Sequence, residues 1–171
     1  QRTRDENTDQ AANALFDVYP DIYAVADAPV EHVQELIKPA GFYRVKAARI
    51  LEVSRILIDQ YGGEVPREMD EMLKLPGVGR KTANLICGDV YGLPAVVCDT
   101  HCIRISVRLG LCTKKDPVTV ERELTPLIPA EKQSGFCHRI VMFGREYCTA
   151  RNPSCHICPL AEYCDSHSCN N

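Results

Sequence analysis

The chain has 171 residues with a formal net charge of −3, and 45% of its residues are hydrophobic. This composition is typical of a globular protein with one domain or two small ones, and it excludes an intrinsically disordered chain. No apolar run approaches the roughly 18 residues that cross a bilayer, and the first ten residues are polar, so neither a membrane span nor a signal peptide is expected. The negative charge gives no bulk attraction to nucleic acid, so such a function must rest on local motifs.

The hydrophobic pattern is helical along nearly the whole chain, which predicts an all-α fold. Pro66 is expected to open a short helix at its first turn and to bury Met69, Met72 and Leu73. Only residues 95–98 resemble a strand, and that run is short. The predicted helical stripes, in chain order, lie at residues 11–18, 30–37, 50–57, 69–73, 83–90, 103–107, 120–127 and 136–143.

A short turn at Pro76, Gly77, Val78 and Gly79 joins two of the predicted helices. Two glycines in a tight turn permit positive φ and leave the backbone accessible. The amides of Val78, Gly79 and Arg80 are then expected to converge at the start of the next helix, where the helix dipole favours an anion. Such a place binds a nucleic acid phosphate without reading sequence. A plain glycine turn between two helices explains the same residues.

Lys81 lies in the first turn of the predicted helix after this hairpin. An exposed lysine is usually only solvated. A cation at a helix N-terminus, however, opposes the helix dipole, and the neighbouring Arg80 adds like charge. Both effects favour the neutral amine, which is a nucleophile able to form a Schiff base.

Asp99 precedes another predicted helix in the run Cys98-Asp99-Thr100-His101. Its simplest role is to cap that helix, with Thr100 as the competing cap. A carboxylate at the mouth of an active cleft also stabilises positive charge and helps to activate a lysine. The two roles are compatible.

The ten cysteines are unevenly distributed, and five of them lie in the last 24 residues. Four follow the spacing Cys148-x6-Cys155-x2-Cys158-x5-Cys164, which indicates a metal centre in a reducing compartment. Four thiolates hold either a [4Fe–4S] cluster or a tetrahedral zinc, and the spacing alone does not decide between them. Cys169 is expected to be a free thiol. The remaining cysteines are expected to be small buried hydrophobes: Cys87, Cys98, Cys102, Cys112 and Cys137.

Residues 75–83, Leu-Pro-Gly-Val-Gly-Arg-Lys-Thr-Ala, resemble the helix–hairpin–helix signature of the endonuclease III family of DNA repair glycosylases. Lys81 matches the catalytic lysine of the bifunctional branch of that family. Asp99, followed by Thr-His, resembles its second catalytic element. In the family the hairpin grips the phosphodiester backbone, which implies DNA contacts for Gly77, Val78, Gly79 and Arg80. The cysteine spacing is the one that the family uses for a [4Fe–4S] cluster, which implies the ligands Cys148, Cys155, Cys158 and Cys164.

The resemblance extends from Asp5 to Cys164 and implies an all-α fold with two lobes. The first lobe, residues 1–93, is a helical barrel that carries the hairpin. The second, residues 94–171, carries Asp99 and the cluster. Because the family begins with a further helical segment before the position of Gln1, we expect the chain to be N-terminally truncated.

Two further residues acquire expected roles from the same resemblance. The turn at Gly41-Phe42-Tyr43 resembles a family turn whose apolar residue wedges into the duplex, which implies that role for Phe42. The alternative for Phe42 is a core aromatic at a helix start. Aligned on Asp5, Arg2 occupies the place of the residue that fills the gap left by a flipped base, with Gln1 beside it.

The resemblance implies a monomeric, cytoplasmic and nucleoid-associated base excision repair enzyme, which acts on double-stranded DNA with a damaged base or an abasic site. The base turns out of the stack, and Lys81 attacks C1′ while Asp99 supports the cationic transition state. β-Elimination from the Schiff base then breaks the strand on the 3′ side. Oxidised pyrimidines of the thymine glycol type are the implied substrates. Three alternatives remain: a glycosylase for uracil or thymine opposite guanine, a noncatalytic DNA-binding module, and a zinc-stapled structural protein.

Overall fold

The computed structural model describes residues 5–168, which form two compact units, one ending at Val78 and the other beginning at Gly79. Within this range the structure is helical and has no β-strand, so the predicted all-α class is confirmed. No helix among the described residues is long and apolar enough to span a bilayer. The chain passes from one unit to the other inside the hairpin, and the domain boundary near residue 93 stays a prediction.

The first unit packs its helices around a small apolar core. Fully or almost fully buried side chains from four helices meet there, including Leu15, Val25, Val33 and Leu51. The longest helix of this unit ends at Tyr61, and the positive φ values of the next two residues, 63° at Gly62 and 87° at Gly63, stop it there. The helices are α1 (Asp5–Val18), α2 (Ile22–Ala26), α3 (Val30–Leu36), α4 (Tyr43–Tyr61) and α5 (Met69–Met72), with a 3-10 turn at Lys38–Ala40.

The prediction for the start of α5 is wrong. The backbone is still extended at Glu68, with φ −76° and ψ 129°, so Pro66 lies outside the helix and Glu68 is its N-cap. Met72 is fully buried as expected, but Leu73 is exposed because the helix ends before it.

The second unit has its own apolar core. Ile105, Val120, Leu124 and Ile140 are buried in this core. Its helices are α6 (Arg80–Leu85), α7 (Thr100–Arg108), α8 (Pro117–Leu124), α9 (Gln133–Glu146) and α10 (Asp165–Ser168). Its shorter elements are a π-helix at Ile86–Val90, which continues α6, and 3-10 turns at Ala130–Lys132, Cys155–Ile157 and Ala161–Tyr163.

The segment between α6 and α7 departs from the helical pattern that the sequence suggests. Of the residues predicted to form one apolar stripe here, Ala83 is buried, but Val90 is 69% exposed. The π-helix is wider than an α-helix, so it rotates Val90 away from the buried face of α6. Residues 95–98 are buried and have no regular secondary structure, and the Val97 amide donates to Cys137 Sγ at 3.2 Å. This buried segment delivers Asp99 to the start of α7.

Candidate active site

The two glycines of the hairpin meet different requirements. Gly77 has a φ of +79°, and a Cβ added there would lie 3.0 Å from Arg49 Cδ, so both the turn and a close neighbour favour glycine. Gly79 is the N-cap of α6 at a φ of −99°, and a Cβ added there would meet nothing within 4 Å. The amide of Val78 donates to the Leu75 carbonyl at 3.1 Å and therefore closes the turn. Nothing in the described chain explains why residue 79 is glycine.

Lys81 is exposed in the first turn of α6, as the sequence predicts. Its neighbour Arg80 forms a two-pronged ion pair with Glu121, with Nε–Oε2 and Nη2–Oε1 distances of 2.7 and 2.8 Å. Glu121 therefore compensates the charge of Arg80 beside Lys81. No local signal in the sequence indicates this pair, because its members are 41 residues apart.

Asp99 is the N-cap of α7. Its Oδ1 accepts from the Cys102 amide at 2.7 Å, and its backbone is extended, with φ −83° and ψ 178°. Thr100 is the first helical residue, so it is not the cap. A carboxylate has a second oxygen with its own lone pairs, so capping through Oδ1 leaves Oδ2 able to interact with a developing positive charge.

Three buried thiols lie behind the Asp99 cap: Cys98, Cys102 and Cys137. The hydrogen bond from Cys137 favours the Cys102 thiolate, but its contact with Cys98 and burial outweigh that bond and raise the pKa of Cys102. The hydrogen bond with Cys102 and burial raise the pKa of Cys137 far above its usual range. Cys102 and Cys137 therefore stay protonated at neutral pH. Together with Cys87 and Cys112, the three thiols are the buried cysteines that the sequence predicts.

The four cysteines of the spaced pattern line one cavity of about 120 Å3 in the second unit. All four are half-buried and none forms a disulfide. Among residues 5–168, no group of three or more His, Cys, Asp or Glu side chains is arranged so that it could hold a metal ion. Apolar side chains, including Ile105 and Phe143, also line the cavity, together with polar ones such as Arg108.

Four cysteine thiols line this cavity. Four thiolates can hold either a tetrahedral zinc or a [4Fe–4S] cluster. A [4Fe–4S] cluster is larger and uses thiolates alone as its protein ligands. The residues present therefore fit that group, with Cys148, Cys155, Cys158 and Cys164 as the side chains available to hold it.

Two arginines of α7 donate hydrogen bonds to the chain beside this cavity. Arg104 donates from Nη2 to the Cys148 carbonyl at 2.8 Å and also contacts His101 Nδ1 at 3.1 Å. Arg108 donates from Nη1 to Cys148 Sγ at 3.1 Å and to the Thr149 carbonyl at 2.8 Å. Both arginines are half-buried. The sequence gives no signal for these contacts, which join residues about 40 positions apart.

Phe42 lies in the first unit at the N-cap of α4. It is 61% exposed, so it is not a core aromatic. Among the described residues, it is the only non-glycine residue with a positive φ, which is 50°. Arg2 and Cys169 lie outside the described residues, so their predicted roles have no structural description here.

Two family profiles match the chain. The profile of the HhH-GPD superfamily of base excision DNA repair proteins matches residues 1–130. The profile of the iron-sulfur binding domain of endonuclease III matches residues 148–164, which begin and end at the first and last of the four spaced cysteines. With the helical fold and the thiol-lined cavity, these matches define a helix–hairpin–helix DNA glycosylase that carries a [4Fe–4S] cluster.

Individual relatives show to which family within this class of glycosylases the chain belongs. Endonuclease III of Thermotoga maritima is 46% identical over 165 residues, which cover 96% of this chain and 78% of that protein. Endonuclease III of Bacillus subtilis is 45% identical over 163 residues, which cover 94% of this chain and 74% of that protein. This chain belongs to the endonuclease III family and is a DNA glycosylase/AP lyase of base excision repair.

Solved structures agree with this assignment. A trapped endonuclease III–DNA covalent intermediate has a TM-score of 0.92 and 40% identity, and the match covers 98% of this chain and 79% of that chain. A thermostable thymine-DNA glycosylase has a TM-score of 0.88 at 24% identity, which shows a shared fold alone.

Proposed function

We propose that this chain removes oxidised pyrimidines of the thymine glycol type from double-stranded DNA and then cleaves the strand at the resulting abasic site, with Lys81 as nucleophile. The observation that carries the proposal is an exposed lysine in the first turn after the hairpin, in the same unit as the Asp99 carboxylate. Removal of a base by water needs no amine, so a lysine in this place favours the bifunctional reaction. The structurally similar endonuclease III was trapped as a covalent intermediate with DNA, the kind of species that an amine nucleophile forms.

Lys81 Nζ forms a bond to C1′ of the deoxyribose while the bond from C1′ to the base breaks. The base leaves with the electron pair of that bond and takes up a proton. Opening of the sugar ring then gives a protonated Schiff base, which acidifies the hydrogen on C2′. Loss of that proton breaks the C3′–O3′ bond by β-elimination, and water releases the lysine.

Asp99 supports the first of these steps. Positive charge develops on the sugar as the base departs, and a carboxylate nearby stabilises it electrostatically. The cap bond from the Cys102 amide to Oδ1 fixes the orientation of the carboxyl group. The segment before Asp99 and the helix α7 after it both contribute buried side chains to the core of the second unit.

The hairpin holds the DNA by its backbone. The open space at Gly79 supports a close approach of a phosphate to this residue and to the start of α6. Gly77 and the Val78 amide maintain the turn, and the ion pair with Glu121 anchors Arg80 beside it. Phe42, an exposed aromatic, is the candidate wedge in the duplex. Arg2 is the candidate for filling the gap left by the flipped base.

The [4Fe–4S] cluster is assigned to Cys148, Cys155, Cys158 and Cys164. When bound, the cluster supplies a rigid redox-active centre that ties these four positions together. No step at the sugar requires it. We further propose that the protein acts as a monomer and is associated with the nucleoid in the cytoplasm.

The substrate class is tested with duplexes that differ only at one central position. One duplex carries thymine glycol, the second an abasic site, and the third uracil opposite guanine. Strand cleavage of the first two, with the third intact, is the expected result. Release of uracil opposite guanine, with thymine glycol left untouched, would contradict the proposal and favour a mismatch glycosylase of the same fold. Binding of all three without any reaction would favour a DNA-binding module.

A further inference from the structure

Arg108, in the last turn of α7, contacts the cluster-binding segment through both of its terminal nitrogens. Nη1 donates to Cys148 Sγ at 3.1 Å and to the Thr149 carbonyl at 2.8 Å, and Nη2 donates to the Ala150 carbonyl at 3.0 Å. The side chain also lines the thiol cavity. One guanidinium therefore joins a sulfur of the cavity to two successive backbone carbonyls.

The contact with sulfur differs in kind from the contacts with carbonyls. A positively charged donor on a ligand sulfur withdraws electron density, and hydrogen bonds to sulfur are among the factors that set the reduction potential of an iron–sulfur cluster. Because reduction adds negative charge to the cluster, a cationic donor stabilises the reduced state more than the oxidised state. Removing the donor must therefore lower the potential.

Arg104 provides an internal comparison on the same helix. It donates from Nε and Nη2 to the Cys148 carbonyl at 3.2 and 2.8 Å, and its other hydrogen bonds within the described residues reach carbonyl oxygens and His101 Nδ1 rather than a sulfur. It therefore holds the same residue through the backbone alone. The bond from the Cys164 thiol to the Arg108 carbonyl, 3.2 Å long, needs a thiol proton, so a metal-bound Cys164 thiolate does not form it.

We propose that Arg108 is a positioning residue for the cluster. Arg108 raises the reduction potential of the cluster by donating to the Cys148 sulfur, and it holds Cys148 in place by binding the carbonyls of residues 149–150. The role of Arg108 rests on the proposed function of Cys148 as a ligand. Arg108 therefore acts on the cluster from the C-terminal end of α7, while Asp99 caps the N-terminal end of the same helix.

The test uses the whole chain purified anaerobically with its cluster, and compares Arg108→Gln, Arg108→Lys and Arg104→Gln with the wild type. The midpoint potential of the one-electron cluster couple is measured by spectroelectrochemical titration. In Arg108→Gln the ratio of reduced to oxidised cluster at a fixed potential is expected to fall roughly tenfold. For a one-electron couple this corresponds to a midpoint potential that is lower by about 59 mV. Arg108→Lys is expected to give a smaller fall, because one nitrogen cannot serve the sulfur and both carbonyls.

Arg104→Gln is expected to loosen the segment without shifting the potential. An equal shift in Arg104→Gln and Arg108→Gln, or an unchanged potential in Arg108→Gln, would overturn the role of Arg108. If Arg108→Gln fails to retain the cluster, Arg108→Lys decides: a lowered potential supports the proposal, and a wild-type value overturns it. Cys148→Ala tests the ligand assignment separately, since full iron content and an unchanged visible spectrum in that variant would refute the assignment of Cys148 itself.

Discussion

At the scale of single residues, Asp99 combines a structural and a proposed catalytic role that one substitution can separate. The cap bond uses a single acceptor oxygen, and an asparagine side chain offers the same acceptor without the charge. Asparagine and aspartate are nearly equal as N-caps. The stability of α7 and the charge at the sugar therefore respond differently to Asp99→Asn.

We expect Asp99→Asn to retain the melting temperature of the wild type and to lower the rate of base release by at least about 100-fold, because the carboxylate no longer stabilises the cation. Asp116→Asn is the matched control, since Asp116 caps α8 through the same kind of bond, to the Thr119 amide at 2.8 Å. That control should keep both stability and activity. Wild-type rates in Asp99→Asn, measured in single-turnover assays, would show that Asp99 is only a cap.

At this scale, the correct predictions come from short runs of residues that lie close together in the sequence. The Asp-Thr-His run predicts the cap at Asp99, and the cysteine spacing predicts four side chains that share a cavity. The Arg80–Glu121 and Arg108–Cys148 contacts could not be predicted, because each depends on packing between segments about 40 residues apart. No single-sequence pattern encodes such a pair.

At the scale of elements, the hairpin and α6 offer a test of DNA contact that does not disturb the fold. Gly79→Ala adds one methyl group at a φ that alanine adopts readily, in space that no atom of the described chain occupies within 4 Å. Alanine is a poorer N-cap than glycine, so we expect a stability loss of no more than about 1 kcal/mol.

The same methyl group lies where a DNA phosphate is proposed to approach, so we expect the affinity for an uncleavable abasic-analogue duplex to fall at least tenfold. Fluorescence anisotropy measures this affinity. Gly135→Ala in α9 is the control, because the added methyl meets only the flexible end of Arg139 and should leave affinity unchanged. Full affinity in Gly79→Ala would contradict the assignment of the hairpin as the backbone grip.

Helical periodicity predicts most of the elements, and its failures have identifiable causes. The end of α4 follows from its glycine pair, whereas the start of α5 shifts past Pro66 because the backbone stays extended to Glu68. Val90 leaves its predicted stripe because α6 widens into a π turn, and no residue type announces that change. Helical periodicity predicts the all-α class, whereas tertiary packing determines where individual helices begin, widen and end.

At the scale of the whole molecule, the chemistry-bearing residues fall mainly in one unit. Lys81, Asp99 and the four spaced cysteines belong to the unit that begins at Gly79, while Gly77, Val78 and Phe42 belong to the other. The net charge of −3 gives no indication of a DNA-binding function. That function was predictable only from motifs, because a phosphate grip depends on local backbone amides rather than on total charge.

The central claim is that Lys81 forms a covalent bond to the deoxyribose, and borohydride trapping tests it most directly. The wild type, Lys81→Ala and Lys74→Ala are mixed with a thymine glycol duplex and then reduced. Lys74 is the control, since it is an exposed lysine paired with Glu71 at 2.6 Å. We predict a trapped protein–DNA complex for the wild type and Lys74→Ala, and none for Lys81→Ala. Trapping that persists in Lys81→Ala, or its absence from a wild-type sample with intact cluster, would contradict the claim.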